Sequence, residues 1–175
     1  MAQAQKRGII LLRVLLVVGM LISLFLLYEH FSVSDIAFCS FGSEFDCNIV
    51  NKSPYANVDG ISYLLTMDFH LPIPLIDIAD QHFLLDLLTS NAFLGFLTLL
   101  LVFCMSFAYT HKRDFWFIKK NTVLSWMRGL LTFGIIYGLY LVYIQHFILK
   151  SYCIFCLGLD VILIVSCIFV WREHQ

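Results

Sequence analysis

Charge is what this sequence has least of. Asp, Glu, Lys and Arg make up 13% of its 175 residues, while 61% are hydrophobic. A typical soluble domain carries about 25% charged residues. The shortage, set against long apolar runs, excludes an ordinary water-soluble globule and reads as a polytopic membrane protein. The net charge of −1 supplies no basic field for a phosphate backbone, so no nucleic-acid partner is expected. A small-x-small cleavage site is also missing after the first apolar run, whose length exceeds a signal-peptide core, so an uncleaved first helix is expected. Phe38 stands where a lipid-carrying cysteine would need a small residue, which removes Cys39 from that class. The 29–90 stretch nearly lacks basic residues, with Lys52 alone against nine acidic ones.

Four apolar runs are present, at about 9–28, 92–109, 123–147 and 153–171. Crossing a bilayer as a helix takes roughly 20 residues, so each is a candidate span. Basic residues gather at Lys6, Arg7 and Arg13, around the 111–122 connection (Lys112, Arg113, Lys119, Lys120, Arg128), and at Arg172. The excess of Lys and Arg on cytoplasmic segments places both termini and the 111–122 loop inside. The 29–90 loop and the turn at 146–152 then face outward. The expected fold is an all-α membrane protein of one domain, 1–175, a four-transmembrane-helix bundle with a long extracytoplasmic loop closing over its outer end.

Cysteine is the residue type with most to say. Cys153 and Cys156 are three apart at the mouth of the last run. On a helix that spacing separates the Cα atoms by about 5 Å, inside the range of roughly 4.4–6.8 Å that a disulfide needs. The unpaired N–H groups of a helix N-terminus favour a thiolate there, and Lys150 adds to the effect. The plainer reading is a structural staple or two buried thiols, but so short a loop makes a poor staple. Cys39 and Cys47, eight apart in a Ser- and Gly-containing loop, fall on the same outer side; the spacing allows contact without forcing it. Cys104 and Cys167 lie deep in their runs and are expected to be buried, inert thiols.

Polar residues in or beside the runs are the other candidates. Asp160, one turn below Cys156, is an acid in an apolar helix, either a functional group or a helix-packing contact. Asn91 opens the second run and is suited equally to donating to a ligand or to capping the helix. Ser53, before Pro54, has the ordinary reading of a turn hydroxyl. Gly134 and Gly138 have the small-xxx-small spacing of close helix packing. His146 is either a proton carrier or a solvated interfacial side chain. Residues 75–89 read as a mostly apolar outer helix, a lid or an added packing element.

Taken together, Cys39-x7-Cys47 with Asp46 before the second thiol, Ser53 six residues on, and Cys153-x-x-Cys156 opening the fourth run resemble the vitamin K epoxide reductase family, over most of the chain. The resemblance implies a quinone pocket beneath the outer loop, with Cys39, Cys47, Cys153 and Cys156 redox-active. It further implies that Cys47 is the thiol that meets Cys153, and that Ser53 and Asn91 lie at the quinone. Cys156, the deeper thiol, would face the quinone, with Asp160 as a proton donor. Members that reduce vitamin K carry Tyr where this chain has Asp160, which favours the bacterial-type homologues that make protein disulfides. The implied cofactor is a quinone (ubiquinone, menaquinone or vitamin K). The implied partner is a thioredoxin-fold dithiol protein on the outer side, with the chain in a bacterial inner membrane. An epoxide reductase of the ER membrane, a tetraspan scaffold with structural disulfides and a four-cysteine zinc module are the rivals; uneven thiol spacing counts against zinc.

Overall fold

The computed structural model describes residues 2–32, 45–70, 82–111, 114–116, 118–119 and 121–172, the side chains of 2–6 and 68 excepted. All three prolines lie between positions 54 and 74, so no ring interrupts an apolar run. The runs accordingly form long helices: α1 (Ala2–Phe31), α5 (Asn91–Thr110), α6 (Val123–Tyr143) and α7 (Ile154–Arg172), with α6 prolonged by a π-helical stretch, Ile144–Leu149. Four stretches are long and apolar enough to cross a membrane, Arg7–Phe31, Asn91–Thr110, Val123–Leu149 and Ile154–Arg172. The expected spans agree with these to within a few residues.

The four pack as a ring, α1 against α5 and α7, and α6 against the same two. Leu16, Leu99, Val102 and Leu131 fill its centre, all 2% exposed or less. Leu21, Phe133 and Leu139, above 60% exposed, point outward, an arrangement that suits lipid and not water. A Cβ at Gly134 would meet the Leu163 side chain at ordinary contact distance, whereas Gly138 leaves the space that the Asp160 carboxylate occupies. The small-xxx-small spacing is thus a packing seam between α6 and α7. Cys167 is buried as expected, but Cys104 is exposed. A helix in a ring of four keeps one face outward, and Cys104 falls on it.

At one end, two arginines tie the ring together. Arg13 donates to the Ser106 hydroxyl and carbonyl at 3.1 Å and to the Thr110 hydroxyl at 2.8 Å, and its guanidinium lies 3.8 Å over the Phe107 ring. Arg128 donates to the Val170 carbonyl at 3.4 Å and sits over Trp171.

The opposite end is covered by short elements: α2 (Cys47–Asn51), a 3₁₀ turn begun by Pro54 (Pro54–Ala56), α3 (Gly60–Tyr63) running into a π-helical turn (Leu64–Asp68), and α4 (Phe83–Thr89). Of the outer helix expected over 75–89, residues 83–89 are helical, and 75–81 lie outside the described residues. Three clips hold this cap. Phe45 bridges Tyr152, and the Asp46 N–H donates to the Tyr152 carbonyl at 3.1 Å. Asn57 bridges Ser90, and the Val58 N–H donates to the Thr89 carbonyl at 3.0 Å. His30, through its two ring nitrogens, joins the Asn51 carbonyl at 2.6 Å and Asp86 at 3.0 Å, while Asn57 donates to the same Asp86 oxygen.

Candidate functional site

The first clip decides where the cysteines meet. Asp46 caps α2, its carboxylate accepting from the Asn48 and Ile49 N–H groups at 2.9 and 3.3 Å, the role an aspartate fills at a helix start. Cys47 is therefore the first residue of a short helix and is pinned beside residues 151–153 by the pairing of its two predecessors. Across from it, the Gln145 side-chain oxygen accepts from the Cys153 N–H at 3.0 Å. The outcome is one buried cluster of Leu26, Cys47, Ala92 and Cys153, with Cys156 and Leu159 packed against it. Cys47 and Cys153 are both 0% exposed. Cys47 is disulfide-bonded, whereas Cys153 and Cys156 are free thiols. Cys39 lies outside the described residues.

Cys153 was expected nearer the surface than Cys156, and the structure corrects this. It stands at the helix mouth, but the 45–47 segment and Gln145 cover it completely, so it is reached through the cap. The Cys153 sulfur accepts from the Cys156 N–H at 3.3 Å and so caps α7. Residue 153 precedes the last span. Its thiol is held below the ordinary value, first by the hydrogen bond from the Cys156 thiol and then, against the opposing effect of burial, by the backbone N–H groups of Cys156 and Phe155. Donors aimed at a sulfur favour its anion.

Cys156 faces the other way, onto a cavity of about 430 Å³ between the helices and under the cap. Ser53, Asn91 and Asp160 line the same cavity. Residues 38 and 107 positions apart are thus gathered round a single space. Asn91 does not cap α5; Ser90 does, accepting from the Phe93 N–H at 3.3 Å, which leaves the Asn91 amide for the cavity. Its nitrogen donates to the Tyr55 carbonyl at 2.9 Å and its oxygen accepts from the Tyr137 hydroxyl at 2.7 Å. A carbonyl can only accept, so the amide's orientation is set and one N–H remains for a ligand. The Ser53 hydroxyl donates to the Val50 carbonyl at 2.8 Å and keeps its lone pairs. His146 hydrogen-bonds the Tyr152 hydroxyl, away from these groups.

Tyr137 and Gln145 escaped the sequence reading, and Gly138 was read only as a helix-packing residue. Nothing in a run of apolar and aromatic residues marks Tyr137 as the partner of an amide 46 positions earlier. A Gly two turns from the outer end of α6 could have been matched to Asp160 only by knowing the ring order. Among the described residues no group of three or more His, Cys, Asp or Glu could hold a metal ion.

The cavity suits a quinone head group. Its size falls within the roughly 300–1,000 Å³ of small-molecule sites, which are mostly apolar with a few placed polar groups. Here a thiol, a spare amide N–H, a hydroxyl and a carboxyl interrupt walls of Leu, Val, Phe and Tyr.

Two comparisons with known proteins bear on this geometry. A search of curated proteins finds no match. A protein-family model described as the Vitamin K epoxide reductase family matches residues 10–171.

Proposed function

The chain belongs to the vitamin K epoxide reductase family, a redox family acting on thiols and quinones, and from that premise we propose that it makes protein disulfides at the expense of a membrane quinone. The observation that carries this reading is the placement of Cys156: one side of it meets the cluster that holds Cys47 and Cys153, and the other is cavity wall.

A thioredoxin-fold dithiol protein reduces the Cys39–Cys47 disulfide. The Cys47 thiolate attacks the Cys153 sulfur of a Cys153–Cys156 disulfide, so that the Cys47–Cys153 bond forms and the Cys156 thiolate leaves. Cys39 then attacks Cys47, restoring the outer disulfide and releasing Cys153. Two electrons have moved inward. A bound quinone supplies a two-electron, two-proton acceptor. The protein's part is to present the Cys156 sulfur at the cavity wall, to orient the acceptor through Asn91 and Ser53, and to offer the Asp160 proton. Dry walls keep water from the thiolate.

Charge distribution supports an orientation with the cap outside, in a bacterial inner membrane facing the periplasm. An ER membrane facing the lumen is the alternative, tied to epoxide reduction; Asp160 in place of the family's Tyr speaks against it.

The test is reconstitution with ubiquinone or menaquinone. In vesicles where Trp116→Cys is shielded from an external impermeant maleimide, reduced thioredoxin-fold protein added outside should drive quinone reduction. No reduction, or reduction confined to vesicles that label at position 116, would overturn the reading.

A further inference from the structure

Thiol exchange moves protons as well as electrons. The attacking thiol must lose one and the departing thiol must gain one, and Cys47 and Cys153 are both fully buried. Glu29 lies in the last full turn of α1. It is 1% exposed, and among the described residues neither of its carboxyl oxygens has a hydrogen-bond partner. A buried acid without partners is costly and points to a use.

Its position supplies one. Leu26, one turn earlier on the same face, packs in the cluster with Cys47 and Cys153. The cap helix that Cys47 opens is bonded along this turn, with the Asn51 amide donating to the Leu26 carbonyl at 2.6 Å. Among the described residues, the charged groups that act on Glu29 are Asp46 and Lys52 of the cap. The Asp46 carboxylate is committed to the start of α2, and the neighbouring His30 is committed to Asn51 and Asp86. Asp160 lies on the cavity side.

We propose that Glu29 carries the proton of the thiol exchange, taking it from Cys47 as that thiol attacks and returning it to Cys153 as that thiol departs. This rests on the relay of the preceding subsection. The balance is closed. Cys47 and the Glu29 carboxylate give a Cys47 thiolate and a carboxylic acid. The Cys47–Cys153 bond forms, the Cys153–Cys156 bond breaks, and Cys156 remains a thiolate at the cavity. When the Cys39 thiolate, its own proton lost to water, displaces Cys153, the Glu29 acid protonates the departing sulfur and is a carboxylate again.

The experiment follows quinone reduction driven by a reduced thioredoxin-fold protein from pH 5.5 to 9.5, in the full-length reconstituted chain. Proton transfer by a placed side chain contributes roughly 100- to 10,000-fold, so Glu29→Gln should lose about 100-fold near pH 6.5. The variant should then recover about tenfold per pH unit as hydroxide replaces the carboxylate. Glu29→Asp should keep a substantial part of the wild-type rate and the wild-type profile. Wild-type profiles in Glu29→Gln, or a loss in both variants that is independent of pH, would overturn the proposal. If Glu29→Gln does not fold, the Glu29→Asp profile alone decides: a rate rising tenfold per pH unit there shows that no carboxylate serves. A wild-type chain without activity would instead overturn the relay itself.

Discussion

Asn91 shows how a single side chain can be aimed. Two hydrogen bonds, to the Tyr55 carbonyl and from the Tyr137 hydroxyl, fix the amide and leave one N–H over on this cavity-lining side chain. Losing a buried hydrogen-bonding partner costs about 1–3 kcal/mol, and about 1.4 kcal/mol is tenfold in affinity. Asn91→Ala should therefore raise the KM for quinone about tenfold or more. Tyr137→Phe leaves the amide in place but frees it to turn, so a rise of a few-fold in KM is expected with kcat nearly unchanged. Titrating the rate against quinone in both variants checks this. Equal KM values in wild type and Asn91→Ala would remove Asn91 from the site. Ser53 and Asp160 differ in that neither is gripped so firmly, and Asp160 owes its place to a missing side chain on α6.

That missing side chain gives the prediction at the level of elements. A Cβ at Gly138 would collide with the Asp160 carboxylate, whereas nothing stands within 4 Å of one at Gly129. Overpacking of a tight interior typically costs about 1–3 kcal/mol. Gly138→Ala should lower thermal stability by that amount and push Asp160 toward the cavity, weakening quinone binding, while Gly129→Ala should be neutral. Thermal unfolding in detergent with and without quinone separates the two; equal melting in both variants would contradict the seam.

The same elements show what could be read in advance. The four spans were legible because a bilayer demands about 20 apolar residues of each and no proline interrupts them. The Cys153–Cys156 pair and Asp160 stood out as candidates because a thiol pair at a helix mouth and an acid in an apolar helix are chemically conspicuous. The cap was not. Its three clips join residue 45 to 152, 57 to 90 and 30 to 86, pairings that leave no local pattern. For the same reason the complete burial of Cys153 could not be foreseen: the cover comes from a segment more than 100 positions away. Cys104 was misjudged because depth along a helix says nothing about which face a residue occupies.

At the scale of the whole molecule, the ring and its cap divide the chemistry between two compartments of one end. The cap side holds Cys47, the bundle side holds the cavity, and Cys153 and Cys156 join them across the start of α7. Arg13 and Arg128 tie the far end of the ring. The proposed order of the relay follows this placement. Cys47 and Cys153 share one buried cluster, and among the described cysteines Cys156 lines the cavity.

Trapping the contact between the two pairs tests this order most directly. In Cys156→Ser the thiol that would resolve the mixed disulfide from within is gone, so a Cys47–Cys153 bridge should accumulate between the cap and α7. Cleaving the 111–122 connection and running the product without reductant should leave the two halves joined, with the bridge mapped to Cys47 and Cys153. Halves that separate without reductant, or a bridge mapped to Cys39, would contradict it.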